Sequence, residues 1–561
     1  MVRPAFTRPA WKYIKKVFIG SLLSFLIVFL PSAHGALEWR DNVVEGEFSN
    51  LGNFGRVSGN SQSSFVDERV NYASEMNLRL SREKMPFPGQ WAFDGETTVR
   101  KTDDRQIDRR HDLHLLYLNL HAHNSRWDIN FGDFFAQLTP LTLNRSLKGG
   151  QLIYSNEDTG TRWVSSAGRA LLAEEEIQNS RYVLGQRLEQ RLLRDFFPVH
   201  QQNPLIKTMT AGANWVDTFD SPGSTQRDTG VQALRNGVGG FDAATEMLGG
   251  LKNRTELARS QMVDEDGVRN QGAVWGNALK IENDYSKNYF LGYSRFSLDY
   301  ENITPNFSAD SGSAALDREA VYTDWYHRFT RRLNLDFAYR EFHDNLQDFL
   351  ATTLRVYNPA LTVNLMPFSS NFEWLSKVNL RFRYDVRKNR ASDRGVDNNT
   401  HDLDFNLSNR YKAVFAEGRY NFRRIDDQAS TSDQSGRQAG FRTGLYWNHR
   451  CFNFSPYVDY NQRHEQTFDP QLRDSNRNLN LGSSLTLLRR FRLNASSTFI
   501  DIDRQLVNQD NGFRAWNVSA EYDLSEHFLL AARFDRRKSR FEQRNLDFAE
   551  NIGEVRLVYK I

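Results

Sequence analysis

From roughly residue 375 onward, apolar and polar side chains alternate with a period of two. Val378, Leu380, Phe382, Tyr384 and Val386 interleave with Asn379, Arg381, Arg383, Asp385 and Arg387. Leu403, Phe405 and Leu407 interleave with Asp402, Asp404, Asn406 and Ser408. Val414, Ala416, Gly418, Tyr420 and Phe422 interleave with Phe415, Glu417, Arg419, Asn421 and Arg423. Consecutive side chains of a strand point to opposite faces, so each run has one apolar and one charged face. An amphipathic helix would repeat its apolar residues every three or four positions instead. The pattern returns in Phe452, Phe454, Val458 and Tyr460, and in Leu479, Leu481, Leu485 and Leu487. Further on, Trp516, Val518, Ala520 and Tyr522 alternate with Asn517, Ser519, Glu521 and Asp523, and Phe528 to Phe534 with Arg533 and Asp535. Val555, Leu557, Tyr559 and Ile561 close the chain in the same alternation.

Two kinds of connection separate these strands. Tight polar turns are expected at Asn409-Arg410, Asn448-His449-Arg450, Arg489-Arg490 and Ser525-Glu526. Long loops rich in charge, Ser, Asn and Gly are expected near 388–400, 424–438, 463–476, 503–512 and 537–550. Transmembrane barrels are connected in this way, short on one side and long on the other. A last strand descending from a long loop places Ile561 on the short-turn side.

Upstream, the strand pattern begins at Val70 and runs through Met76, Leu78 and Leu80, Leu116 to Leu120, and Trp127 to Phe131. Residues 36–69 are polar and glycine-rich and are expected to form a periplasmic extension, with the barrel spanning 70–561. Two stretches resist the pattern. Leu184, Leu188, Leu192 and Leu193 are spaced more like a helix, so 183–197 reads equally as a short helix or an irregular strand. Residues 218–250, with Ser221-Pro222-Gly223-Ser224 and Gly237-Val238-Gly239-Gly240, read as a long loop or an inward-folded constriction. Each strand with its share of connection takes about 20–24 residues, which gives about 24 strands within a range of roughly 22–26. The expected fold is all-β: one large antiparallel transmembrane β-barrel. Such a girth is too wide for side chains to fill, so the lumen holds water, a plug or a partner.

Composition agrees with a barrel and excludes a helical membrane protein, since hydrophobic residues make up 39% and mean hydropathy is −0.64. Only every second residue of a barrel strand meets lipid, and the 13% aromatic content suits interfacial girdles. The first 35 residues carry Arg3, Arg8, Lys12, Lys15 and Lys16, then the apolar run Val17–Leu30, then Ala33-His34-Gly35. That order is expected of a signal peptide cleaved before Ala36. Removing these five cations from a formal charge of +3 leaves −2, so the basic pI does not point to nucleic acid. Cys451 is the only cysteine, which excludes an intrachain disulfide, a thiolate zinc cluster and a C-x-x-C-H haem attachment.

With these features the chain resembles the outer-membrane β-barrels of Gram-negative bacteria. In that class the last strand alternates apolar residues and ends on an aromatic that the barrel-assembly machinery recognises. Val555, Leu557 and Tyr559 fit, whereas Ile561 stands where Phe or Trp is usual. The resemblance implies an outer-membrane location and outer-membrane lipid and the assembly machinery as partners. In size and loop content the chain is also similar to the sheath proteins of porin–cytochrome conduits. That second resemblance implies a barrel holding a periplasmic or extracellular partner such as a multihaem cytochrome.

Chemistry-bearing motifs are few. There is no G-x-S-x-G elbow, Walker loop or H-E-x-x-H, so no enzyme activity and no cofactor are expected. His111, His114, His121 and His123 form the densest histidine cluster, and His121 and His123 share a strand face; a solvated reading of them outweighs a metal site. Asp264-Glu265-Asp266-Gly267 lacks full calcium-loop spacing. The candidate functional surface is the charged face, with Arg381, Arg383, Asp385, Arg387, Asp402, Asp404, Glu417, Arg419, Arg423, Glu521, Asp523, Arg533 and Asp535 expected to line the pore. Most of these charges are expected to pair across strands and stabilise the wall; the rest would screen solutes by charge. The function expected is a porin-like channel or conduit, with the partner-holding sheath as the alternative.

Overall fold

Residues that alternate in polarity satisfy one face each, but their backbone N–H and C=O groups still need partners on both edges. The computed structural model meets that need with one closed antiparallel sheet of 26 strands, with the two-residue strand Trp447–Asn448 outside the count. It describes residues 42–560 except 61, 63, 65–69, 84–88, 104–112, 171–179, 201–202, 222–233, 265–273, 310–311, 313–316, 347–352, 368–372, 394, 430–432, 469–470, 505–508 and 542–545. The expected signal peptide lies outside the described residues.

In chain order the strands are β1 (Asn42–Gly59), β2 (Val70–Arg82), β3 (Ala92–Thr102), β4 (His114–His123), β5 (Trp127–Gln137), β6 (Asn144–Asn156), β7 (Thr161–Ala170), β8 (Ser180–His200) and β9 (Asn203–Ser221). Then follow β10 (Leu234–Met247), β11 (Leu251–Asp264), β12 (Val274–Tyr289), β13 (Gly292–Ile303), β14 (Arg318–Arg328), β15 (Leu333–Asp344), β16 (Leu354–Leu365), β17 (Asn379–Ala391) and β18 (Asp397–Tyr411). The last eight are β19 (Val414–Asp427), β20 (Gln434–Leu445), β21 (Phe452–Phe468), β22 (Gln471–Leu487), β23 (Phe491–Arg504), β24 (Gln509–Asp523), β25 (Phe528–Arg540) and β26 (Phe548–Lys560). Each pairs with its sequence neighbours, and β1 closes the ring against β26 with Phe48 opposite Tyr559 and Gly59 opposite Phe548.

That closure corrects the expected periplasmic extension: residues 42–59 are the first barrel strand, held by β2 on one edge and β26 on the other. Glycines at 46, 52, 55 and 59 dilute the alternation, and the ladder that holds the strand depends on backbone rather than side chains. One more expectation is corrected and one open alternative is resolved. Gly237-Val238-Gly239-Gly240 is not in a loop but in β10, paired on both sides with Asp217–Asn214 and Gln261–Ala258; Pro222-Gly223-Ser224 lies outside the described residues. The ambiguous 183–197 is strand, inside β8.

The expected long loops are mostly strand as well. Lys388 pairs with Asn399, Arg424 with Ser435, and Arg463 with Asn476. Hairpin arms that project beyond the bilayer need no apolar face, so their polarity imitates a loop. The sidedness holds in the main. Connections after even-numbered strands are short at 124–126, 157–160, 290–291, 412–413 and 488–490, while those after odd-numbered strands include 103–113, 222–233 and 304–317. β1 starts and β26 ends on the short-turn side.

Candidate functional site

Cross-strand register decides which side chains share a face. Arg381 faces Asn406, which faces Arg419; Asp402 faces Arg423; Glu417 faces Arg442, which faces Asp459. The chain of partners continues through Asn480, Thr498 and Arg492 to Glu521, and through Ser519 to Arg533 and Asn517 to Asp535. All thirteen charged residues singled out in the sequence therefore lie on one face. The other face carries Phe382, Tyr384, Phe405, Leu407, Tyr420, Phe441, Trp516, Val518, Phe534 and Val555, each more than a third exposed. Near the short turns that face ends in the aromatic pairs Phe491–Tyr522 and Phe528–Tyr559, with ring centroids 6.4 and 4.7 Å apart, as at a membrane interface. Val555, Leu557 and Tyr559 are on this apolar face; Ile561 lies outside the described residues.

The charged face is concave. Arg381, Arg383, Asp385, Arg387, Asp402, Asp404, Arg419 and Arg423 wall a hollow of about 1080 Å³ that extends over β16 to β22. Glu417, Glu521, Asp523, Arg533 and Asp535 lie on the same face outside that hollow. Most of the charges are paired. Arg423 holds Asp402 with two bonds, at 2.7 and 3.2 Å, and Arg383 holds Asp385 at 2.9 Å. Arg492 bridges Glu521 at 2.9 Å and Asp523 at 3.1 Å, and Arg533 binds Asp535 at 2.9 Å. Asp404 and Glu417 accept instead from the amides of Asn421 and Asn406. Arg419 passes over its register partner Gly440 to reach Asp459 on the strand beyond, at 2.9 Å. The arginines of these pairs are about half exposed while Asp385, Asp402 and Asp535 are largely covered, so solvent screens each pair through its guanidinium and the main effect is to cancel charge along the wall.

The opposite sector has a feature that the alternation did not disclose. The β5–β6 connection, Leu138-Thr139-Pro140-Leu141-Thr142-Leu143, folds onto the polar face of β8 to β11 and is buried there. Leu138 and Leu143 pack with Val164, Val183 and Val216, and Leu141 with Val238, Ala258, Ala278, Ile303 and Phe307. Arg187 donates to Leu138 O at 2.6 Å and to Asp242 at 2.8 Å, while Glu256 accepts from the Leu141 N–H at 3.2 Å. The start of the β13–β14 connection joins it: Ser308 N–H donates to Ser260 Oγ and Ser308 O accepts from Asn236. Gly276 makes room, since a Cβ there would sit 2.0 Å from Phe307 N. An inward-folded segment thus exists, but in the β5–β6 connection rather than in residues 218–250, which read as either a long loop or an inward-folded constriction. Its signal was available: a six-residue connection with three leucines is too apolar to lie in water.

A closed barrel with an apolar exterior, an aromatic rim and a polar interior leaves no unpaired backbone toward lipid. The chain is an integral β-barrel of the outer-membrane type. No protein-family model and no curated protein matches it. Among solved structures it is similar to the siderophore receptor PirA from Pseudomonas aeruginosa, at 10% identity and a TM-score of 0.37, over 92% of this chain and 80% of that one. It is similar also to the outer membrane transporter YddB from Escherichia coli (8%, 0.42, over 92% and 80%) and to the P pilus usher PapC translocation pore (10%, 0.35, over 92% and 99%). At these scores the likeness adds nothing to what the strands themselves establish.

Proposed function

We propose that the chain is a porin-like outer-membrane conduit whose path runs along the charged wall of β16 to β22. The observation that carries this is the contrast between sectors: β8 to β12 are covered from inside by two connections, whereas the opposite wall keeps an open polar hollow. A strand count of 26 leaves more interior than those connections occupy. In this reading the thirteen charged residues line the pore and the barrel performs no catalysis, the carboxylates among those thirteen being engaged by guanidinium and amide groups.

Single-channel conductance of the purified barrel in planar bilayers tests the proposal. Stable, open currents are expected. A silent barrel would end the free-diffusion reading, and one that also co-purifies with a haem protein from native membranes would favour the sheath.

A further inference from the structure

β3, β4 and β5 bring together, on the inner face at the short-turn end, a group of side chains that the conduit does not use. Asp94 is the register partner of His121, and His123 follows two residues later on the same face. The ligating atoms of Asp94, His121 and His123 all lie within 4.8 Å of one another. The two imidazoles stack, with centroids 4.8 Å apart and 20° between planes. His121 Nε2 is 3.0 Å from Asp128 Oδ1, and Asp128 is fixed in turn by the Asn130 amide at 3.0 Å. His123 Nδ1 is shut off from solvent and has no hydrogen-bond partner among the described residues.

From this geometry we propose that Asp94, His121 and His123 form a binding site for a divalent late first-row cation, with zinc as the reference ion. Two imidazole nitrogens and one carboxylate leave an open fourth position, the donor set that zinc, copper and nickel accept. A tetrahedral zinc holds its ligands roughly 3.3 Å apart, so side-chain rotation alone closes the present spacing. Asp128 acts as a positioning residue: by accepting the Nε2 proton of His121 it leaves the Nδ1 lone pair for the metal. The nearest competing cation is Arg79, whose Nη2 is 3.8 Å from Asp94 in a contact more than a third exposed on both sides, easily displaced by a dication. The histidine i, i+2 spacing was visible in the sequence, but the carboxylates come from neighbouring strands and were supplied by register.

The test is zinc titration by calorimetry of the full chain, stripped with a chelator and held in detergent. One equivalent is expected for the wild type, with His121→Ala and His123→Ala each weakening affinity at least about tenfold and Asp128→Asn weakening it about 10–100-fold. His343→Ala, which removes a histidine paired with Glu319 elsewhere on the wall, leaves binding unchanged. Copper loaded in place of zinc gives a spin-resonance spectrum with hyperfine coupling to two nitrogens. Should either histidine variant fail to assemble, Asp94→Asn carries the same expectation with little change in shape. The proposal is overturned if zinc does not bind stoichiometrically, if the His121 and His123 variants bind like the wild type, or if His343→Ala loses as much affinity as they do.

Discussion

Arg187 shows what a single side chain does inside this barrel. It is 7% exposed, and its guanidinium is shared among the Leu138 carbonyl, Glu189 and Asp242, itself 7% exposed. Removing one partner of a buried pair leaves the other charge uncompensated, at a cost of about 3–5 kcal/mol. Arg187→Ala is therefore expected to lower the thermal midpoint of the detergent-held barrel, with Asp242→Ala in the same chain recovering part of the loss. An unchanged midpoint would show that the constriction is not anchored there. Arg423→Gln should by contrast cost only about 1 kcal/mol, because Arg423 is half exposed and its replacement still offers an amide to Asp402. Gly553 is a third case. A Cβ at that position would lie 1.9 Å from the Phe54 ring, which crosses from β1 over the closing seam. Gly553→Val should reduce the yield of heat-modifiable, folded barrel; assembly at wild-type yield would refute this role.

At the scale of elements, the β5–β6 connection decides how much of the lumen is filled. Leu141 and Leu143 are at most 2% exposed, each burial contributing about 1.5–3 kcal/mol, which holds the connection against the wall. Replacing 138–143 by a short Gly-Ser turn should raise single-channel conductance severalfold. Conductance equal to the wild type would mean the current never passes that sector. The outer arms of the β17–β18 and β21–β22 hairpins lack an apolar face and so resemble loops in the amino-acid order, yet Lys388↔Asn399 and Arg463↔Asn476 are paired there. Gly237 and Gly239 in β10 hide a strand for a related reason: their missing side chains erase the alternation while the ladder on both edges stays paired.

For the molecule as a whole, the wall over β16 to β22 is mixed in sign and internally paired, so the conduit should discriminate weakly between small cations and anions. Reversal potentials in a salt gradient should lie near zero, and Asp402→Asn with Asp404→Asn should move them toward anion preference. A strongly selective wild type would contradict the pairing seen on the wall. Strand alternation and the aromatic stripe of β17 to β26 were legible in the amino-acid order, because a residue's side of a strand depends only on local parity. The charged face was legible for the same reason, as Arg381 and Arg383 between Leu380 and Phe382 and Tyr384 declare it without any neighbour. What closes the barrel was not legible. Pairing of Asn42–Gly59 with the final strand, the choice of β8 to β11 as the wall that receives Leu138–Leu143, and the meeting of Asp94 with His121 and His123 all join residues distant in the chain. Register and closure are properties of the assembled sheet, and only the tertiary structure could decide them.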